Sequence, residues 1–177
     1  VFPVGSGKHA LVIADVAGKG VPASLFMALS RTAVRIVSRW ERSARRVLTS
    51  SNTIFIEDSG SASFVSVFYG ILDQQERVLS YVNAGHNPPL LLHPDGTMEE
   101  LLPTGPVVGL LDDPGYVGGE VRLLPGDLLA VVTDGVTEAQ SPAGDEFGDD
   151  RVRRELVATA GRSAPTVLEG LVAAVDT

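Results

Sequence analysis

The sequence contains no cysteine, which excludes disulfide bonds and thiolate metal sites and is typical of a cytosolic protein. Long apolar runs are also absent: none approaches the roughly 18 residues that a membrane-spanning helix needs, and no secretory signal pattern opens the chain. Positively charged residues are fewer than negatively charged ones: the chain has 14 lysines and arginines and 22 aspartates and glutamates, which gives a formal net charge of −8. We therefore expect a cytoplasmic protein with no membrane segment and no nucleic-acid partner.

The chain has the length and apolar content of one globular domain. Its 177 residues, 44% of them hydrophobic, allow a sizeable core and argue against disorder. No repeat, low-complexity tract or linker divides the sequence, so we predict one domain over residues 1–177. The acidic balance would also suit a divalent cation, although solubility alone is the commoner reason for mild acidity.

The order of the periodic segments predicts an α+β fold. Apolar runs and turn residues between 64 and 132 indicate successive antiparallel strands, with strong hairpin chemistry at Pro94-Asp95-Gly96. Antiparallel sheets covered by helices fit this order better than a βαβ fold does. The remaining predicted elements are a strand at 8–14, helices at 22–40 and 44–55, a loop at 59–62, and helices at 150–160 and 165–175.

Two rows of side chains are predicted on the helix at 22–40. One is an apolar stripe that we expect to face the core. The other is a row of three arginines, for which a solvated surface is the favoured interpretation and a binding role the alternative. The stripe consists of Leu25, Leu29, Ala33, Ile36 and Trp40, and the row of Arg31, Arg35 and Arg39.

Two aspartates follow apolar strands. Asp15 comes directly after Ala10–Ala14, and Asp134 follows the apolar run 128–132. A carboxylate beside a core is costly unless it is paired or binds a cation. If the two strands lie side by side, both carboxylates converge and could hold Mg²⁺ or Mn²⁺, which activates water and neutralises a phosphoryl group. Taken singly, each aspartate is better explained as the cap of the turn that follows it.

Other polar signals are weaker. Gly18-Lys19-Gly20 precedes a helix and could hold phosphate, but it is no Walker A motif, and a plain turn into the helix is the commoner case. His86 is better explained as a hydrogen-bonded structural residue than as a catalyst. No partner is evident for His9 or His93. A serine-hydrolase elbow is absent.

Five segments in series resemble the bacterial metal-dependent Ser/Thr protein phosphatases of the SpoIIE and RsbU kind, which are type 2C-like (PPM) enzymes. The resemblance covers about Val1 to Arg154 in order, and the series is far more specific than any one segment. The segments are "LVIADVAGKGVPASLFMA", "FVSVFYGILD", "LSYVNAGHNPPLLL", "LPTGPVVGLL" and "LLPGDLLAVVTDGVTEAQSPAGDEFG".

The resemblance implies a fold and a chemistry. The implied fold has two antiparallel sheets packed face to face, with helices on both outer faces. The implied centre holds two Mn²⁺ or Mg²⁺ ions, and a metal-bound water attacks phosphoserine or phosphothreonine without a phospho-enzyme. By this likeness Asp15 bridges the two ions, Val16 offers its backbone carbonyl and Asp134 binds the second ion, so that Asp15 and Asp134 are the catalytic pair.

The resemblance also implies partners. Substrates of the family are typically phosphorylated anti-anti-sigma proteins with STAS domains, in partner-switching pathways such as the stress response. A fused N-terminal sensor domain would act through the helix that starts at Pro22, and the same likeness suggests a homodimer.

The sequence departs from the family at both ends. A Gly-Asp-x-x-Asp motif precedes the hydrophobic-Phe-Pro segment in the family, whereas this sequence starts at Val1-Phe2-Pro3, and it stops short of a terminal Asp-Asp-x-Thr motif. The alternative function is therefore a catalytically inactive phosphatase-like scaffold or sensor-output module. An unrelated metal-dependent phosphohydrolase is a third and weaker reading, because His/Asp clusters are missing.

Overall fold

The computed structural model of the protein describes residues 1–59 and 63–176 and divides into two compact units. The first contains Val1–His86 and Leu102–Leu123, and the second contains Asn87–Leu101 and the chain from Leu124 onward. Most of the predicted loop at 59–62 lies outside the described residues. Among the described residues, no helix has both the length and the apolar composition that crossing a membrane requires.

Eight strands and five helices follow one another along the described chain. The strands are β1 (Phe2–Gly5), β2 (Lys8–Val16), β3 (Val65–Asp73), β4 (Val78–Ala84), β5 (Leu90–Leu92), β6 (Met98–Glu100), β7 (Gly119–Arg122) and β8 (Leu128–Ala130). The helices are α1 (Gly20–Val37), α2 (Ala44–Ser59), α3 (Asp134–Thr137), α4 (Asp149–Ala158) and α5 (Ala164–Val175).

The first unit is built on a five-stranded antiparallel sheet in the order β1-β2-β3-β4-β7. Its centre is the pair β2 and β3, which stay in register over all nine residues, from Lys8 opposite Asp73 to Val16 opposite Val65. Alternate residues of β2 belong to the core that this sheet shares with α1 and α2. Since successive strand residues point to opposite faces, the intervening β2 residues face away from the helices. The core-facing residues of β2 are Ala10, Val12, Ala14 and Val16.

The predicted apolar stripe of α1 is wrong in most of its members. Leu25, Ile36 and Trp40 are 67%, 43% and 64% exposed, and the helix ends at Val37, before Trp40. The reason is that α1 carries apolar residues on more than one face, so that periodicity alone does not select the face that packs on the sheet. The buried residues are Phe26, Ser30, Ala33, Val34 and Val37. The three arginines of the predicted row are exposed, as expected.

The second unit combines a three-stranded antiparallel sheet, in the order β6-β5-β8, with α4 and α5. The predicted hairpin between β5 and β6 is confirmed, and Gly96 occupies the left-handed region at φ 86°. Apolar side chains from the sheet and both helices form one buried cluster. Its buried members are Leu90, Leu92, Phe147, Val152, Leu156, Val167 and Leu171.

The predicted α+β class, with antiparallel sheets and flanking helices, is confirmed. The hairpin of β3 and β4 and the positions of α2, α4 and α5 also agree with prediction within a few residues. Two short elements, β1 and α3, were not predicted, since four residues carry too little periodicity to reveal them. Strands β7 and β8 follow each other closely but enter different sheets, which local patterning does not show.

Candidate functional site

Asp15 is the penultimate residue of β2, where it lies half-buried opposite Ser66 of β3. The strand therefore continues through Val16, two residues past the predicted end at Ala14, and Val16 packs into the core. Asp15 points to the face of the sheet opposite α1 and α2, because its neighbours Ala14 and Val16 point toward those helices. The pairing with β3 over the full length of β2 makes this strand a rigid support for the carboxylate.

A buried polar network begins at the residue opposite Asp15. The Ser66 hydroxyl lies 2.9 Å from Nδ1 of His86, and His86 is only 2% exposed. The backbone N–H of His86 donates to Oδ1 of Asn83 at 2.8 Å. The N–H of Asn83 in turn donates to Oγ1 of Thr104 at 3.0 Å, and the N–H of Thr104 donates back to the Asn83 carbonyl at 2.8 Å.

This network makes His86 a hydrogen-bonded structural residue, as the sequence favoured, but one that lies beside the candidate site. Directly opposed residues on antiparallel strands have Cβ atoms about 4.5–5.5 Å apart, so Ser66 places the network next to Asp15. Sequence reasoning missed Ser66, Asn83 and Thr104. The only available signal was Ser66, a polar residue in an otherwise apolar strand, and the sequence does not indicate which residue it contacts.

Gly85 allows the chain to turn between Asn83 and His86. Its φ of 69° is in the left-handed region, and a Cβ at this position would lie 2.6 Å from Cγ1 of Val107. Only glycine therefore fits between the end of β4 and the segment that carries Thr104. The glycine keeps the His86 backbone within reach of the Asn83 side chain.

Asp134 is the first residue of the short helix α3, in the second unit. Thr133, not Asp134, occupies the N-cap position. The Asp134 backbone carbonyl accepts from the N–H of Glu138 at 2.7 Å. Within the described residues, the exposed Asp134 carboxylate takes part in no hydrogen bond or ion pair. The capping explanation therefore does not account for this carboxylate.

The Gly18-Lys19-Gly20 segment forms the turn into α1. Lys19 is the N-cap residue with extended backbone, and both glycines have positive φ, 117° at Gly18 and 81° at Gly20. The commoner of the two sequence interpretations, a plain turn into a helix, is the one observed.

The donors at the predicted positions suit a hard divalent cation, but the described residues do not assemble a complete site. Carboxylate and carbonyl oxygens are the ligands that Mg²⁺ and Mn²⁺ prefer. In the part of the chain that the structure describes, no group of three or more histidines or acidic side chains could hold an ion. Asp15 and Val16 belong to the first unit and Asp134 to the second.

His93 has a partner, contrary to the sequence interpretation. Its Nδ1 lies 2.8 Å from Oδ1 of Asp127, and this contact raises the pKa of His93 above its usual value. The two residues are 34 positions apart, so the pairing was invisible in the sequence. The interpretation failed because it considered only nearby residues.

Comparison with known proteins identifies relatives along nearly the whole chain. The family model described as Stage II sporulation protein E (SpoIIE) matches residues 5–177. Protein IcfG of Synechocystis sp. is 32% identical over 97% of this chain and 31% of its own length. Phosphoserine phosphatase RsbU of Bacillus subtilis is 30% identical over 76% of this chain and 40% of its own length. The chain thus spans about a third of the length of these curated relatives.

Solved structures share the fold. The RsbU and RsbW domains of a Mycobacterium tuberculosis protein are 26% identical, with a TM-score of 0.77 over 96% of this chain and 48% of theirs. The SiaA-PP2C domain of Pseudomonas aeruginosa is 24% identical, with a TM-score of 0.79 over 96% of this chain and 72% of its own. The chain therefore belongs to the SpoIIE family and has the type 2C phosphatase (PP2C) fold that its motifs predict.

Proposed function

We propose that the protein is a metal-dependent protein serine/threonine phosphatase, with residues 1–177 as one phosphatase domain. The observation that carries the proposal is the SpoIIE family match over residues 5–177, which includes both predicted site aspartates. The fold agrees with it, since Asp15 lies on β2, which pairs with β3 along its full length, beside a buried polar network. A rigid support of this kind is what a reacting group requires.

The proposed site residues are Asp15, the backbone carbonyl of Val16 and Asp134. They would act as ligands of Mn²⁺ or Mg²⁺, with Asp15 shared between two ions. When bound, such ions supply Lewis-acid activation of water and neutralise phosphoryl charge. The chain's own contribution is to hold Asp15 on β2 and to present the Asp134 carboxylate at the exposed start of α3, where it makes no hydrogen bond or ion pair with the described residues.

The proposed substrate is a phosphorylated regulatory protein. RsbU of Bacillus subtilis is a phosphoserine phosphatase by name, and the Mycobacterium tuberculosis structure combines RsbU and RsbW domains. By extension we propose a STAS-type anti-anti-sigma substrate in a partner-switching pathway, regulation through a fused sensor domain or a homodimer, and a cytoplasmic location.

The alternative is a catalytically inactive phosphatase-like scaffold. The observation that favours it is that the described residues contain no cluster of three or more metal-ligating side chains. A scaffold would retain the fold and the partner surface while lacking the chemistry.

The deciding experiment is phosphate release from a phosphoserine peptide and from a phosphorylated STAS-domain protein. It is run with the 177-residue chain and with the complete product of its gene, first with Mn²⁺ and then with EDTA. Turnover that requires Mn²⁺ supports the phosphatase. Absence of turnover in both proteins, with a folded chain that still binds the STAS-domain protein, supports the scaffold.

A further inference from the structure

A groove of about 340 Å³ lies in the first unit, between the edge strand β1 and the end of α1. Its walls are formed by Phe2–Gly5 on one side and by Arg35, Ser38, Arg39 and Arg42 on the other. Three of its lining residues are arginines, and none is acidic. In a protein with a net charge of −8, such a concentration of positive charge runs against the general balance.

No acidic side chain in the part of the chain that the structure describes neutralises the three arginines. No ion pair within the described ranges 1–59 and 63–176 includes Arg35, Arg39 or Arg42. The acidic residue nearest in sequence, Glu41, contacts Arg46 instead, at 4.0 Å. Three like charges around one groove repel one another, and a bound anion would relieve this repulsion.

Two of the guanidinium groups are held in place by the opposite wall. The Arg35 guanidinium lies over the Phe2 ring, 5.2 Å from its centroid, and Nη1 of Arg42 donates to the Val4 carbonyl at 2.6 Å. Each guanidinium has five N–H donors, so these contacts leave most of them available. Arg39, the third, is exposed and makes no such contact with the described residues.

The base of the groove is anchored in the core. Ser38 is fully buried. Its hydroxyl donates to the Val34 carbonyl at 2.6 Å and accepts from the Tyr69 hydroxyl at 2.9 Å. The end of α1, which carries Arg35, and the turn after it, which carries Arg39, are therefore fixed to the central strand β3. Because this part of the protein is already ordered, it would lose less conformational entropy when a ligand binds.

The negative end of the α1 dipole explains only part of this arrangement. Cations near a helix C-terminus are stabilising, and this accounts for Arg35 and Arg39. It does not account for Arg42, which lies five residues past the last helical residue, Val37. Nor does it account for the lack of acidic side chains in the lining.

The groove is separate from the candidate catalytic end of the sheet. On β2, the residues opposite β1 are Lys8, His9 and Ala10. Asp15 lies six residues beyond His9 on the same extended strand, which at about 3.3 Å per residue is about 20 Å away.

We propose that this groove binds a phosphate group, carried by a phosphorylated side chain of a partner protein. A phosphate monoester carries a charge of about −1.5 to −2 and three acceptor oxygens. It can therefore accept hydrogen bonds from several guanidinium groups at once, which suits this groove better than a single carboxylate would. The groove is at the small end of ligand sites, about 300–1,000 Å³, and so suits one phosphorylated side chain with its neighbours. Binding here does not depend on the proposed phosphatase activity.

The test is calorimetric titration of the metal-free protein, in EDTA, with a phosphoserine peptide, the same peptide without phosphate, and inorganic phosphate. The variant is Arg39→Gln, because the exposed Arg39 side chain makes no hydrogen bond or ion pair with the described residues and its loss should leave the fold intact. The matched control is Arg122→Gln, which removes one exposed positive charge from β7, the opposite edge strand of the same sheet.

We expect the phosphoserine peptide to bind and Arg39→Gln to weaken binding at least about fivefold, with Arg122→Gln unchanged. Binding of inorganic phosphate with the same dependence on Arg39 also supports the site, with the free anion as its ligand. Equal affinity for the unphosphorylated peptide, or equal effects of the two variants, would overturn the proposal. Because no turnover is measured, failure here leaves the phosphatase assay unaffected.

Discussion

His93 and Asp127 form an ion pair that ties two turns of the second unit together. Nδ1 of His93 lies 2.8 Å from Oδ1 of Asp127, and the other Asp127 oxygen accepts from the Leu124 N–H at 2.7 Å. The Asp127 side chain is 2% exposed and that of His93 28%. The pair thus joins the end of β5 to the turn that leads into β8.

The first prediction is a pH-dependent contribution of this pair to stability. The hydrogen bond to Asp127 is the main cause of the raised pKa of His93; burial opposes it, and the charges of Asp127, Asp95 and Glu99 add to it. A folded-state pKa above the unfolded value near 6.5 means that protonation favours the folded protein. The contribution is therefore complete below about pH 6.5 and is lost as the pH rises through the folded pKa.

The measurement is chemical denaturation of the wild type and His93→Gln at pH 5.5 and pH 8.5. We expect the variant to be less stable by about 1 kcal/mol at the lower pH and by clearly less at the higher pH. A difference of the same size at both values would show that protonation of His93 does not contribute.

The second prediction concerns which face of α1 packs on the sheet. Phe26 is 8% exposed and meets the ring of Phe55 edge-on at 5.7 Å, whereas its neighbour Leu25 is 67% exposed. Phe26→Ala should lower the free energy of unfolding by about 3–5 kcal/mol. Leu25→Ala should change it by less than about 0.5 kcal/mol. Thermal or urea unfolding measures both, and the reverse order would restore the stripe predicted from periodicity.

This pair of residues shows where sequence reasoning reached its limit. The existence of α1 followed from a local repeat, but the choice between Leu25 and Phe26 as the buried side chain depends on the sheet, which the repeat does not describe. That Asp15 and Asp134 lie near the ends of apolar strands was likewise local and predictable, although β2 extends through Asp15 to Val16. The Ser66–His86 hydrogen bond was not, because its partners are 20 residues apart and meet only through the register of β3 with its neighbours.

The third prediction tests the polar network beside Asp15. Ser66→Ala removes the hydroxyl from Nδ1 of His86 and should cost about 1 kcal/mol of stability, since His86 is buried and loses that contact. Ser66→Thr keeps a hydroxyl and should recover most of the loss. Ser80→Ala, at an exposed position on β4, is the matched control and should be neutral. The midpoints of denaturant unfolding measure these differences. If Ser66→Ala leaves the midpoint unchanged, the Ser66–His86 hydrogen bond does not contribute to the stability of the protein.

The fourth prediction concerns the proposed phosphatase site. Asp15→Asn and Asp134→Asn each keep the shape of the side chain but remove its charge, so both should abolish Mn²⁺-dependent phosphate release. Mutation of a residue that hydrogen-bonds to a metal ligand typically lowers metal affinity or activity about 10–100-fold. Mutation of a ligand itself should therefore lower the activity by more than about 100-fold. Asp15→Asn should be the more severe if Asp15 is shared between two ions.

The matched control for this site is Asp112→Asn, an exposed aspartate in the loop before β7. It removes the same charge without touching either strand end, and its turnover should equal that of the wild type. Circular dichroism spectra of all three variants should match the wild type, so that lost activity reports on the carboxylate and not on the fold. Turnover retained in Asp134→Asn but lost in Asp15→Asn would confine the site to the first unit, since Asp134 lies in the second.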